Sequence, residues 1–417
     1  MAKIISVKAS EILDSRGNPT IQTCIKLDTG QLGTASIPSG ASVSKYEALE
    51  LRDNDLSRFS GLGVLKAVAN VNIIIAPKII GLDPSYQTKI DQLLIELDGT
   101  TNKSRLGGNA LLSVSIACLK AAAAAYNLPV YLYLSQKYGL VKDFKHLPTP
   151  TFNIINGGAH GAGNLDFQEF HIIPSNRFAY HEALQIGIDI YKNLKKVLIQ
   201  RQAIHSVGDE GGYAPNLFTN LDALQVILEA IKLTPYKFTQ DVFLGLDVSA
   251  GYFFHNNHYQ IKDRAQSFNR LELITYYLEL NREYRLFFLE DALFQDDWEG
   301  WTKLTEELGE TTLIVGDDLL TTNKERVKKA INLKACNAIL VKPNQIGTVS
   351  ETVEVVKYCR ENQWKIIVSH RSGETNDTFI ADLAVGLGAD YTKFGAPSRG
   401  ERIAKYNRLL EIANEQL

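Results

Sequence analysis

The chain has 417 residues, 45% hydrophobic and 22% charged, which is long enough for two domains and ordinary for a soluble globular protein. A formal net charge of −3 provides no global field to attract nucleic acid or an anionic membrane, so neither is expected as a partner. The start, "MAKIISVKAS", lacks the apolar core of a signal peptide. Cys24, Cys118, Cys336 and Cys359 are scattered with no CxxC pair, so they read as core thiols of a cytoplasmic protein.

In chain order, the first elements are of the α+β kind. "TIQTCIKL" sets Ile21, Thr23, Ile25 and Leu27 on one face at period two, and "DTG" (28–30) supplies a hairpin turn. Helical patterns follow over 62–80, 85–97 and 108–138. The most apolar of them, "NALLSVSIACLKAAAAAYNL", is rich in alanine and interrupted by Ser113, Ser115 and Lys120. It reads as a buried helix and not a membrane span. Two prolines in "FKHLPTPTFN" and a change of pattern mark a boundary near residue 140, giving domains 1–140 and 141–417.

Beyond it, short apolar runs end in a polar residue and lead into helical stretches: "VFLGLD" at Asp247, "RLFFLE" at Glu290, "TLIVGD" at Asp317, "AILVK" at Lys342 and "KIIVSH" at His370. These ends lie 43, 27, 25 and 28 residues apart. A strand, loop, helix and return need about 30 residues, so four βα units with one insertion fit. Asn323 and Thr348, the latter with Glu351, stand as helix caps. Strands buried on both faces and separated by helices predict a parallel sheet. An α/β fold closing as an eight-stranded β/α (TIM-like) barrel is the economical form. An open doubly wound sheet is the alternative, but no GxGxxG follows an early strand.

In such a barrel the strand ends converge on one face. Asp247, Glu290 and Asp317 would then bring three carboxylates together, which repel unless a cation joins them. All-oxygen ligands of this kind suit Mg²⁺. Any one of these acids alone reads more simply as a strand end or a helix cap; three in register reverse that preference. Lys342 beside a divalent cation would have its ammonium form disfavoured and become accessible as a base, although a strand-end lysine that merely snorkels to solvent is the simpler reading of it alone. Arg371 and Ser372, opening a helix after His370, suit an anion such as phosphate, on weak evidence by themselves. Two glycine-rich segments, 156–170 and 207–215, add Gln168-Glu169 and Asp209-Glu210, which singly read as polar loop residues.

Taken together, the motifs "SRGNPT", "PSGAS", "NGGAH", "QEF", "GDEGG", "LED…DDW", "GDDL", "NQIG", "SHRSGET" and "KFGAPSR", in this order, resemble the enolase (phosphopyruvate hydratase) family from residue 15 to residue 412. The resemblance implies an N-terminal α+β domain carrying a lid loop, followed by a barrel whose first strands depart from simple βα order. It implies a hydro-lyase that reversibly dehydrates 2-phosphoglycerate to phosphoenolpyruvate, with two Mg²⁺ per active site, the second arriving with substrate. By matching motif, Asp247, Glu290 and Asp317 correspond to ligands of the first ion and Ser42 to a lid ligand of the second. Lys342 corresponds to the base, Glu210 to the acid with Glu169 in support, and His370 joins them among the catalytic candidates. His160, Gln168, Arg371, Ser372 and Lys393 match substrate contacts. A homo-oligomer, dimer or octamer, is implied as well, with an additional cell-surface or secreted pool possible in such a family.

The chain departs from the family pattern at the lid, where "GASVSK" replaces "GASTG". It also departs at Phe394 in "KFG", Asn376 in "SGETND" and Gly251-Tyr252 in "DVSAGYF". None of these removes a metal or catalytic candidate. Two other readings stand beside this one. A superfamily relative acting on a sugar acid or amino-acid derivative would usually lack the Ser42, Arg371 and Ser372 set. A binding protein on the same scaffold would not need the full acid, base and ligand set.

Overall fold

The computed structural model describes residues 2–41, 44–141, 143–161, 163–262 and 264–415. Three strands, β1 (Ile4–Leu13), β2 (Pro19–Leu27) and β3 (Leu32–Ser36), form an antiparallel sheet in that order. Along β2 the residues Ile21, Thr23, Ile25 and Leu27 are buried, as period two requires. Their face is covered by the helix Gly108–Ala125, which is 83% buried within the structure. The approach is close: a Cβ added to Gly33 of β3 would lie 2.1 Å from the carbonyl oxygen of Ala117. Glycine at 33 and alanine along the helix are what let backbone meet backbone here.

Two helical expectations need correction. The stretch 108–138 is two helices, Gly108–Ala125 and Val130–Tyr138. Pro129 lacks an N–H and restricts Leu128, while Asn127 takes a left-handed conformation (φ 53°), so the chain turns there. The stretch 62–80 winds unevenly, with a π-helical segment, Asn70–Ile75, between the short helices Leu65–Ala69 and Ala76–Ile79.

The remaining strands are β4 (Thr149–Asn156), β5 (Glu169–Pro174), β6 (Val242–Asp247), the small hairpin β7 (Phe254–His255) and β8 (His258–Tyr259), then β9 (Leu286–Glu290), β10 (Leu313–Gly316), β11 (Ala338–Val341), β12 (Lys365–Ser369) and β13 (Tyr391–Lys393). All but the hairpin close into an eight-stranded barrel. The hairpin lies between β6 and β9 and accounts for the long 43-residue spacing there. The expected parallel sheet holds for six of the eight pairings. The strand β5 runs antiparallel to both β4 and β6, because it returns directly from β4 without a crossover helix. Its first residue, not its last, therefore lies at the mouth, and Glu169 pairs with Asp247 across the register. Below the mouth the barrel is filled by Ile173, Phe288, Val315, Ala338, Leu340 and Ile367, a packed interior and not a pore.

The N-terminal region reaches over this mouth. Ser39 exchanges two backbone hydrogen bonds with Gly373 (2.7 and 3.0 Å), and the Ala48 N–H donates to the Gln345 carbonyl (2.8 Å). Tyr46 donates its hydroxyl to Asp296 (2.8 Å) and lies under the Arg326 guanidinium, 3.7 Å from the ring centroid.

Candidate active site

The strand ends meet as the spacing predicts. Asp247 and Glu290 are the last residues of β6 and β9 and stand opposite one another in register. Asp317, Lys342 and His370 each follow their strand by one residue, and Lys393 ends β13. A carboxylate ends β9 because Leu289 and Phe288 belong to the buried wall while Glu290 opens into the mouth. Ser42 and Val43 lie outside the described residues, so the lid candidate has no structural account.

On one side of the mouth the acids are met by lysines. Lys393 donates to Asp247 (2.8 Å) and Glu290 (2.7 Å) and lies 3.4 Å from Glu169. Lys342 donates to Asp317, whose other oxygen accepts from Gln345 (3.0 Å). Gln168 donates to Asp247 (3.3 Å). One oxygen, Oε2 of Glu290, is buried with no partner among the described residues. Burial pushes the Glu290 carboxyl well above the usual range, and neighbouring Asp247 adds to it. Burial also opposes ionisation of Asp317, but the Lys342 charge outweighs it and leaves that carboxyl lowered. Lys342 is the mirror case: burial disfavours its ammonium, and the Asp317 charge leaves its pKa raised.

On the other side, Glu210 is ringed by donors. Its Oε1 accepts from Ser372 (3.0 Å), and its Oε2 accepts from Asn153 (3.2 Å) and lies 3.3 Å from His370 Nε2. His370 Nδ1 sits 2.6 Å from Arg402, which can only donate, so Nδ1 is the acceptor and Nε2 carries the proton toward Glu210. His160 places Nδ1 3.5 Å from both Glu169 and Glu210 and Nε2 3.2 Å from Ser372. Burial and the Glu169 charge push Glu210 upward, but His160 and His370 prevail and hold it low. Burial disfavours the charged form of both histidines. It wins at His370, which is lowered, and loses at His160, where Glu210 and Glu169 raise the pKa.

Arg371 lines the same cleft. It makes a two-pronged contact with Glu47 (2.9 and 3.4 Å) and donates to Asn344 (3.0 Å). Every described candidate therefore lines one cleft or touches a residue that does.

Several functional neighbours have no sequence signal of their own. Asp291 adopts φ 43° and its carboxylate accepts the backbone N–H groups of Asp317 (3.0 Å) and Asp318 (2.8 Å), pinning that loop. Asp318 is pushed up to about 7 by burial and by Asp317. Arg402, fully buried in the C-terminal helix Gly400–Glu415, donates to the carbonyls of Arg371, Ser372 and Asp209, tying the "SHRS" and "GDEGG" loops together. The "DD" of "GDDL" and the Arg of "SRGERIAK" are the only marks such residues leave in the sequence.

Among the described residues, two groups offer metal-ligand chemistry. Donor atoms of His160, Glu169 and Glu210, and of Asp291, Asp317 and Asp318, lie within 4.8 Å of one another and could each hold an ion. A mouth lined by hard oxygen ligands, a lysine paired with one carboxylate and a second carboxylate paired with histidines can bind a divalent cation and move protons on two faces of a small anion. Residues 4–134 match the family model described as enolase, N-terminal domain, and residues 144–417 match enolase, C-terminal TIM barrel domain. With nearly the whole chain matched and this mouth in place, the chain belongs to the enolase family of metal-dependent lyases, which interconvert 2-phosphoglycerate and phosphoenolpyruvate.

Proposed function

We propose that this chain divides the dehydration of 2-phosphoglycerate between the two sides of the barrel mouth, with Lys342 removing the C2 proton and Glu210 delivering a proton to the departing C3 hydroxyl. The observation that carries this reading is the separation of partners: among the described residues the Lys342 ammonium bonds to Asp317, while the Glu210 carboxylate meets Asn153, Ser372 and the histidines.

We place a divalent cation at Asp247, Glu290 and Asp317 on their donor chemistry and the family likeness, not on close convergence, since the tight groups are the two given above. Oε2 of Glu290 has no partner among the described residues, and the ammonium groups of Lys393 and Lys342 already meet the negative charge that an ion would share. In the His160–Glu169–Glu210 group no carboxylate oxygen is left orphaned as Glu290 Oε2 is, and the partners are histidines and Ser372, so we assign that group to proton chemistry. When bound, Mg²⁺ supplies positive charge at the substrate carboxylate, where negative charge grows as the C2 proton leaves. With Asp317 engaged as a ligand, its charge would favour the Lys342 ammonium less, and burial would favour the neutral amine that takes the proton. Arg371 and Ser372 hold the phosphate, and His160, Gln168 and Lys393 orient the rest of the substrate. Glu169 supports Glu210 from the same side through His160, which lies 3.5 Å from both, and His370 steadies it through Nε2. Ser42 would help to hold a second Mg²⁺ brought with substrate.

We further assign residues 1–140 to a domain carrying the lid and 141–417 to the barrel, supported by the gap between the two family matches. A homo-oligomer is proposed by family likeness, and a cytoplasmic location from four free cysteines, three of them buried. The test is formation of phosphoenolpyruvate from 2-phosphoglycerate, with Mg²⁺ and with a chelator, beside D-glycerate as substrate. Turnover confined to the phosphorylated substrate with metal supports the reading; turnover that survives chelation, or that accepts D-glycerate equally, overturns it.

A further inference from the structure

A histidine lies where the barrel interior should be apolar. His171 is two residues after Glu169 on β5, so both side chains point to the same face. It is fully buried, just above the apolar filling, with the ring edge-on to Phe288 (centroids 5.1 Å apart, planes at 63°). Opposite it in register is Gly245, where a Cβ would lie 2.4 Å from the Phe288 ring; the missing side chain gives Phe288 the space from which it braces the imidazole. Burying a polar ring costs free energy unless its hydrogen-bonding groups are used. Here one is used: Nε2 lies 2.8 Å from Oε2 of Glu169, while Nδ1 has no partner among the described residues. A buried nitrogen without a partner is better left as a lone pair when the other can donate to a carboxylate, so the proton belongs on Nε2.

The other oxygen of Glu169 faces the chemistry. Oε1 lies 3.4 Å from Lys393 and 3.5 Å from His160 Nδ1, which is itself 3.5 Å from Glu210. We propose that His171 is a positioning residue for the acid side of the reaction: by donating Nε2–H to Oε2 it fixes the Glu169 carboxylate so that Oε1 meets His160 and Lys393 beside Glu210. His171 itself touches no substrate, since it lies below Glu169 in the barrel wall. The proposal rests on the reading of Glu169 and Glu210 as the proton-delivering pair.

The experiment compares His171→Met, which fills similar volume without a donor, with His171→Gln, whose amide returns a donor near the Nε2 position. Phosphoenolpyruvate formation and exchange of the substrate C2 proton in D₂O are measured separately, with Glu169→Gln as a third variant. Loss of a hydrogen bond to a charged group predicts phosphoenolpyruvate formation down by about tenfold or more in His171→Met, with C2 exchange changed by less than about twofold and partial recovery in His171→Gln. Equal loss of exchange and dehydration, no loss at all, or a Gln variant no better than Met would each overturn the positioning role. An unimpaired Glu169→Gln removes the proton-delivering pair itself, whereas an impaired Glu169→Gln beside an unimpaired His171→Met overturns only the role of His171.

Discussion

The two sides of the barrel mouth are built on opposite plans. Glu290, Asp317 and Lys342 come from three successive parallel strands, each at or one residue past its strand end. Glu169, Glu210, His160, Ser372 and His370 come from the start of a reversed strand, two glycine-rich loops and the loop after β12, and are held chiefly by one another. On the first side the barrel wall sets each position, so a change there should be large and local. On the second side a network sets the positions, and a change should be shared among its members.

Lys342→Ala is the sharpest way to break this contrast. It should lower phosphoenolpyruvate formation by about 10⁴-fold and abolish solvent exchange of the C2 proton, followed by NMR in D₂O. Exchange that persists would take the base role from Lys342. Glu210→Gln should cost about 10²- to 10³-fold in dehydration while retaining some exchange, because the proton is lost on the other side. If exchange vanishes along with dehydration, the two sides do not act separately. Asp317→Asn should weaken Mg²⁺ binding by about tenfold in calorimetry, as one charged ligand of a shared ion becomes neutral. Unaltered affinity would move the ion elsewhere, with the Asp291–Asp318 pair the next place to look. A smaller effect is expected at the lid, where valine is stiff and serine reaches fewer backbone angles than glycine. Val43→Thr combined with Ser44→Gly should raise kcat about two- to threefold at saturating Mg²⁺ without altering affinity for the first ion. A lower or unchanged kcat would mean that the present loop is no hindrance to closure.

The same contrast decides what could be read without coordinates. Parallel strands buried on both faces write themselves as short apolar runs, and a site at their ends adds a polar residue to each run; Asp247, Glu290, Asp317, Lys342 and His370 were legible for that reason. Glu169 was not legible in this way, because β5 is reversed and its polar residue precedes the apolar run. It was found, with Glu210, through the neighbouring motifs. Arg402 sits on a helix that mixes polar and apolar residues about equally, and nothing in local spacing tells a guanidinium that faces inward from one that faces water. The left-handed turn at Asp291 was equally hidden, since an aspartate beside a glutamate reads as one more acid. The helix break at Pro129 has a local signal in the proline itself, but apolar periodicity runs on past it and masks the break.

Glu47 gives Arg371, the proposed phosphate contact, a resident counter-ion. The carboxylate is part of the chain and hydrogen-bonded within its own turn, Ser44 N–H to Oε1 at 3.2 Å, so it faces the guanidinium at an effective concentration on the order of millimolar or above. An arriving anion has to exchange with it. Free inorganic phosphate should therefore inhibit weakly, and Glu47→Gln should strengthen that inhibition by about three- to tenfold; inhibition constants that match in the two proteins would show that no exchange takes place. A molecule with a phosphate at one end and a carboxylate at the other can make the exchange at far lower concentration, because its second end is already held in the mouth.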